Sequence, residues 1–260
     1  VAGIKIKSED DLKLMRPAGV LAGKVLDDVA AFVKPGMTTR QVDNFAAERI
    51  RSYDAKSAFL GYRGYPCHIC LSVNDAVVHG LASERELQFG DIVSVDVGVT
   101  YKGFIGDTAR TVAVGGCSLA AQRLMDVTEQ SLFLGIAQAR PGNRVVDISV
   151  AVQRYVEENG YSVVREFVGH GVGRTMHEAP QVPNFDEGLK NSPRLKPGMT
   201  IAIEPMVNAG RPEVKFLKDG WTVVTIDGSL SAHFEHTVLI TGGEPEILTW
   251  AGMRSASKPA

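Results

Sequence analysis

Ser94-Val-Asp96-Val-Gly-Val-Thr-Tyr-Lys-Gly-Phe-Ile-Gly-Asp107-Thr-Ala-Arg110 is the stretch whose reading decides the fold. Val93, Val95, Val97 and Val99 alternate with small or polar residues, the period-two pattern of a half-buried strand. Lys102-Gly103 supplies a turn, and Phe104 to Val114 reads as a return strand. A two-residue turn at Tyr101-Lys102 would set Asp96 and Asp107 directly opposite, with Cβ atoms about 5 Å apart. A turn at Lys102-Gly103 would stagger them, still within reach of one ion. Two carboxylates on a buried face repel each other and lose hydration, so the pattern calls for a cation or a shared proton. The alternative is two solvated aspartates at strand ends.

On the N-terminal side, Ser8 and Asp11 form a capping-box start, and Leu14, Ala18, Leu21, Val25, Val29 and Phe32 predict an apolar helical stripe that stops at Lys34-Pro35-Gly36. Thr38 and Gln41 cap a second helix whose Val42, Phe45 and Ile50 face inward. Cys70 to Val73 reads as a short strand, Asn74-Asp75 as a turn, and Val77 to Gly80 as a second strand end. On the C-terminal side the pattern begins again. Helices are expected over Leu124–Ala139 and Val145–Glu158, the second closed by Asn159-Gly160. Arg140-Pro-Gly echoes Lys34-Pro-Gly at an offset of 106, and Gly198-Met-Thr-Ile-Ala-Ile-Glu204 echoes Gly90-Asp-Ile-Val-Ser-Val-Asp96 at an offset of 108. Two echoes at nearly equal spacing predict a duplicated helix-helix-sheet unit, roughly 8–115 and 120–240, in a single domain spanning 1–260. Glu204 then occupies the place of Asp96, and each half gives a carboxylate to the seam.

Asp96, Asp107, His170, Glu204 and Glu235 form the candidate metal set. Four carboxylates and one imidazole suit borderline divalent ions such as Mn, Fe, Co or Zn. Five ligands exceed the needs of one ion, whereas two bridged ions, commonly about 3.5–4 Å apart, would use them all. Glu204 and Glu235 stand among apolar neighbours, where an unpaired carboxylate is costly. His170 lies between glycines that admit close approach, while His79 and His177 stay open between structural and functional roles. His68, His233 and His236 read as structural. The Gly-x-Gly-x-Gly at 169–173 lacks the context of a phosphate loop, and no His-Glu-x-x-His helix is present.

Composition narrows the field further. With 28 basic and 30 acidic residues, the net charge of −2 gives no electrostatic case for nucleic acid or an anionic membrane. No apolar run reaches the ~20 residues of a membrane span, and the N-terminus lacks a signal-peptide layout, so a cytoplasmic protein is expected. Cys67, Cys70 and Cys117 cannot all pair, and no second Cys-x-x-Cys completes a zinc ribbon, so free thiols are expected.

The motifs Gly-Tyr-Arg-Gly-Tyr-Pro at 61–66, Val-His-Gly at 78–80, Ser-Val-Asp-Val-Gly at 94–98, Gly-Asp-Thr-Ala at 106–109, Gly-His-Gly-Val-Gly at 169–173, Ile-Glu-Pro-Met at 203–206 and Phe-Glu-His-Thr at 234–237 resemble the type I methionine aminopeptidases. The resemblance runs from about Ile4 to Trp250. It implies the pita-bread fold, an α+β architecture with a curved antiparallel sheet inside, helices outside and the metal site at a pseudo-twofold seam. It also implies hydrolytic removal of an initiator methionine when the second residue is small. Asp96 would serve one ion, His170 and Glu204 the other, and Asp107 and Glu235 would bridge both. His177 would donate to the carbonyl oxygen, His79 would face the scissile nitrogen, and Glu204 would carry the proton. Phe59, Tyr62, Tyr65, Cys70 and Trp221, with His79 and His177, would line the methionine pocket. Phe59 and Met176 stand where related enzymes often carry Cys and Phe, and Cys67 adds a thiol beside the pocket. Expected partners are N-terminal Met peptides and nascent chains, met transiently at the ribosome by a monomer. A prolidase-like X-Pro peptidase would use the same metals but carries a further N-terminal domain. A non-catalytic binding module would be expected to have lost ligands.

Overall fold

A computed structural model describes residues 3–188 and 191–250 of the chain. Helices α1 (Glu9–Phe32) and α2 (Thr39–Ser52) open it, followed by strands β1 (Lys56–Ser57), β2 (Cys70–Val73), β3 (Ala76–Val78), β4 (Ile92–Tyr101) and β5 (Phe104–Ala113). Helices α3 (Leu119–Ala137) and α4 (Val145–Glu158) come next. Strands β6 (Ser162–Val163), β7 (Gly169–Gly171), β8 (Glu178–Val182), β9 (Thr200–Ile203) and β10 (Met206–Asn208) continue the chain. It ends in β11 (Val214–Phe216), β12 (Val223–Thr225), β13 (Ser231–His233), β14 (Glu235–Leu239) and β15 (Glu246–Ile247).

The β4–β5 hairpin turns at Lys102-Gly103, with Tyr101 opposite Phe104. Both turn residues have positive φ, 48° and 80°, the geometry whose twist matches paired strands. Of the two registers the sequence allowed, this is the staggered one: Asp107 lies opposite Gly98, and Asp96 opposite Ala109. Asp96 and Asp107 therefore share one face as diagonal neighbours.

The opposite face carries Val93, Val95, Val97 and Val99, each essentially inaccessible, packed beneath Met15, Ala18, Ala22 and Val25 of α1. Burying a valine of this kind contributes about 1.5–3 kcal/mol, so this face alone pins α1 to the sheet. Ser8 caps α1 as expected, its hydroxyl accepting from Asp11 N. Ala18, Val25 and Val29 of the expected stripe are buried, but the stripe is wider on one side than expected: Leu12, Met15, Gly19, Ala22 and Leu26 are buried with them, whereas Leu14 is exposed and Leu21 half-buried. Small residues at 18, 19, 22 and 23 let the helix lie close on the strands, a preference that a search for large apolar residues overlooks. In α2, Phe45 is half-buried and stacks on Phe32 at 4.0 Å. Helix α3 begins five residues before the expected Leu124, because Ser118 caps it by accepting from Ala121 N.

A second core cluster joins α3 and α4 to Ile201, Ile203 and Val238. The main sheet runs β1-β4-β5-β14-β9-β7-β8, with β2 added to β4 and β15 to β14. Its middle is the β5–β14 pairing, where Ala109 faces Glu235 and Thr108 faces His236. The Thr237 hydroxyl accepts from Asp107 N and donates to Asp107 O, locking this junction. Among the described residues, no helix is long and apolar enough to cross a membrane.

Candidate metal centre

Asp96, Asp107, His170, Glu204 and Glu235 line one cavity of about 230 Å³. β4 supplies Asp96, β5 Asp107, β7 His170 and β14 Glu235, while Glu204 follows the end of β9. Asp107, His170 and Glu235 form the tight core, with ligand atoms all within 4.8 Å of one another. Glu204 joins through His170, whose Nε2 lies 3.4 Å from Glu204 Oε1 and 3.6 Å from Asp107 Oδ2. Asp96 stands outside the tight core, close enough to Asp107 to raise its pKa.

The donor set is poorly satisfied by protein alone. Asp96 Oδ1, Asp107 Oδ1 and Glu235 Oε1 are buried and have no hydrogen-bond partner. His170 Nδ1 sits 2.9 Å from the Gly171 carbonyl, which can only accept, so Nδ1 carries the proton. In the neutral ring Nε2 then presents a lone pair to two carboxylates. A histidine oriented through one nitrogen, with the other aimed into orphaned carboxylate oxygens, fits a divalent cation. Burial pushes the Asp96 carboxyl up to about 7, with the Cys70 thiol pulling it back. Burial first, and neighbouring carboxylates second, push Asp107, Glu204 and Glu235 well above the usual carboxylate range. Burial holds His170 down at about 3.

The remaining predicted residues line the same cavity: Phe59, Tyr62, Tyr65, Cys70, His79, His177 and Trp221. Tyr65 is fixed by donating to Gly80 O at 2.9 Å and meets Trp221 edge-on at 5.1 Å. His79 adopts φ 58° and packs against Phe167 at 5.4 Å, and burial lowers its pKa to about 4. His177 does not share a helix with His170. The chain reverses between β7 and β8 and brings the two rings to 4.2 Å. The Tyr62 hydroxyl lies 2.9 Å from His177 Nδ1.

His233, expected to be structural, stands beside Glu204. It is buried, its Nε2 has no hydrogen-bond partner, and it comes 3.8 Å from Glu204 Oε2. Phe167 and Arg63 also line the cavity unforeseen. His68 and His236 are structural, bonded to Asp43 and Thr249. The three cysteines are free.

Residues 13–242 match the model of metallopeptidase family M24. The chain is 51% identical over 246 residues to the methionine aminopeptidase of Clostridium perfringens, covering 95% of this chain and 98% of that protein. It is 47% identical over 243 residues to methionine aminopeptidase 1 of Bacillus subtilis, covering 94% and 98%. The crystal structure of methionine aminopeptidase from Rickettsia prowazekii superposes with a TM-score of 0.93 at 42% identity, covering 95% of this chain and all of that one. The chain belongs to metallopeptidase family M24, and its architecture is the pita-bread fold that the motifs implied.

Proposed function

We propose that this chain is a metal-dependent aminopeptidase that hydrolyses the N-terminal methionine from peptides and nascent proteins whose second residue is small. Relatives named methionine aminopeptidase at about half identity over nearly the full length support the reaction. The orphaned carboxylate oxygens around the lone pair of His170 are the observation that carries the metal requirement. Asp96, Asp107, His170, Glu204 and Glu235 would hold two divalent ions, Co, Mn, Fe or Zn. Bound divalent ions supply Lewis acidity, polarising the scissile carbonyl and lowering the pKa of the attacking water.

The chain's own side chains do the rest. With the Tyr62 hydroxyl 2.9 Å from His177 Nδ1, the tautomer in which Tyr62 donates to Nδ1 would leave Nε2–H to donate to the carbonyl oxygen as negative charge develops. Partial desolvation, with the Arg63 guanidinium second, lowers the His177 pKa, so the ring is neutral at physiological pH and this tautomer is available. Glu204, ionised when the divalent ions are bound, would take the proton from water and pass it to the leaving amine. His79, also neutral, faces the scissile nitrogen. Phe59, Tyr65, Cys70 and Trp221 enclose the methionine side chain, where sulfur meets aromatic edges. In this reading the enclosed site leaves little room for a large second side chain.

The catalytic unit is a single domain built from a duplicated helix-helix-sheet motif. Its support is the order α1-α2-β4 against α3-α4-β9, with the halves joined where β5 meets β14. The reading further assigns a monomer that works in the cytoplasm and meets its substrates at the ribosome. Isothermal titration of Mn(II) into wild type, His170→Ala and His177→Ala tests the assignment. His170→Ala should lose affinity and recover activity partly at high metal, while His177→Ala should bind metal normally and turn over slowly.

A further inference from the structure

The cavity does little to hold His177 in place. The residue is exposed, and its described contacts there are Tyr62, through its hydroxyl and its ring stacked at 5.5 Å, and the tilted ring of His170. What fixes it lies one residue further on. The Glu178 side chain is only 2% exposed, yet it remains charged: its pKa falls below the usual value despite burial, through the ammonium groups of Lys7 and Lys5 and the backbone of Thr175. Lys7 Nζ donates to Glu178 Oε2 at 2.7 Å and is itself 6% exposed. Glu178 Oε1 accepts from Lys5 Nζ at 3.2 Å, from Thr175 N at 3.3 Å and from Thr175 Oγ1 at 3.2 Å.

Lys7 is anchored in turn. Its amide donates to Gly198 O at 2.8 Å, and its ammonium occupies the space beside Gly173, where an added Cβ would come within 2.9 Å of Nζ. A second grip lies nearby: Arg174 reaches Asp11 at 3.0 Å and lies over the Phe104 ring at 4.2 Å. The turn that carries Met176 and His177 into the cavity is therefore clamped from outside by a segment some 170 residues earlier in the chain.

We propose that Lys7, acting through Glu178, is a positioning residue for His177: the buried ion pair sets the backbone of the 173–178 turn and so the aim of the imidazole. This rests on the reading of His177 as donor to the scissile carbonyl. Without the ammonium, the Glu178 carboxylate loses its main buried partner and swings toward solvent, drawing Thr175 and His177 with it. A displacement of an ångström at a catalytic donor lowers turnover by about a hundredfold. The five metal-set residues lie on other elements and are untouched.

The test is a double-mutant cycle in the Mn(II)-loaded enzyme with a Met-Ala-Ser peptide, using Lys7→Met, His177→Ala and the pair. Lys7→Met should lower kcat by about tenfold to a hundredfold, with KM and Mn(II) affinity near wild type. The double variant should be no slower than His177→Ala alone, because the lysine acts through that ring. Multiplying effects, an unchanged kcat in Lys7→Met, or a parallel loss of Mn(II) affinity would each overturn the proposal. If Lys7→Met does not fold, Lys5→Met, whose lysine is half solvent-exposed, should show the same coupling at smaller amplitude, and additivity there would overturn it too. A silent His177→Ala would remove the donor reading and this inference together. A silent Lys7→Met beside an impaired His177→Ala would remove this inference alone.

Discussion

Asp107 and Glu235 lie on the two strands that join the halves of the sheet, offset by two positions from direct opposition, with ligand atoms within 4.8 Å of each other. Each keeps one buried oxygen without a hydrogen-bond partner. This pair, with its neighbours, makes metal-free protein sensitive to pH. The raised carboxyls hold protons in the native state that the unfolded chain has already lost, so their contribution to stability falls as pH rises from about 4 through the native pKa, about 7 for Asp96. Imidazoles work in the opposite sense. His170 and His233 at about 3, and His79 at about 4, against 6.5 unfolded, make stability rise with pH up to 6.5. Just above 6.5 the carboxyls dominate, and toward about pH 9 the buried Cys67 and Cys70 thiols, which burial also raises, add a fall of the same sign. The melting temperature of metal-free protein should therefore fall from pH 6.5 toward about pH 9, and saturating Mn(II) should abolish the carboxyl part of the fall by taking the place of the protons. A metal-free melting temperature that is flat or rising over that interval counts against the raised carboxyls.

Tyr62→Phe should separate orientation from donation. The ring stays, but Nδ1 of His177 loses the hydroxyl 2.9 Å away that sets its tautomer. kcat should fall to a value between wild type and His177→Ala, with KM and metal content unchanged. Steady-state kinetics on a Met-tripeptide reads this, and a wild-type kcat would show that the tautomer needs no help from Tyr62.

Gly106→Ala tests how closely α1 lies on the hairpin. A Cβ at 106 would come within 2.6 Å of both Ala18 O and Gly19 Cα. The helix must move off β5, and overpacking of this kind costs about 1–3 kcal/mol. Urea unfolding of the metal-loaded protein should show that loss, whereas unchanged stability would mean the helix shifts freely.

Substrate choice follows from the walls around the site. Met-Ala and Met-Gly peptides should be cleaved well and Met-Lys or Met-Leu peptides poorly, with the difference in kcat/KM. An Ala-Pro peptide, the prolidase-type substrate, should be left intact. Equal rates across second residues would mean that no wall restricts that side chain.

Much of this was legible before any coordinates. The valine alternation through 93–99 and the paired aspartates announced a strand pair with one polar face, and the echo of Asp96 at Glu204 pointed to a second carboxylate that lines the same cavity. What escaped notice had physical causes. The turn register was open because Lys102 can tolerate the positive φ that it adopts here, 48°. The buried face of α1 is only partly legible because glycines and alanines, which permit close approach, carry little hydropathy. The grip of Lys7 on Glu178 joins residues 171 positions apart, and no local pattern encodes it.

Metal titration followed by methionine release tests the central claim most directly. Protein stripped of metal, with its content verified by elemental analysis, should not release methionine from Met-Ala-Ser, and Mn(II) or Co(II) should restore turnover until two ions per chain are bound. Asp107→Asn, missing one carboxylate of the tight core, should bind metal weakly and stay slow at the same additions. Full turnover by verified metal-free protein would contradict the account.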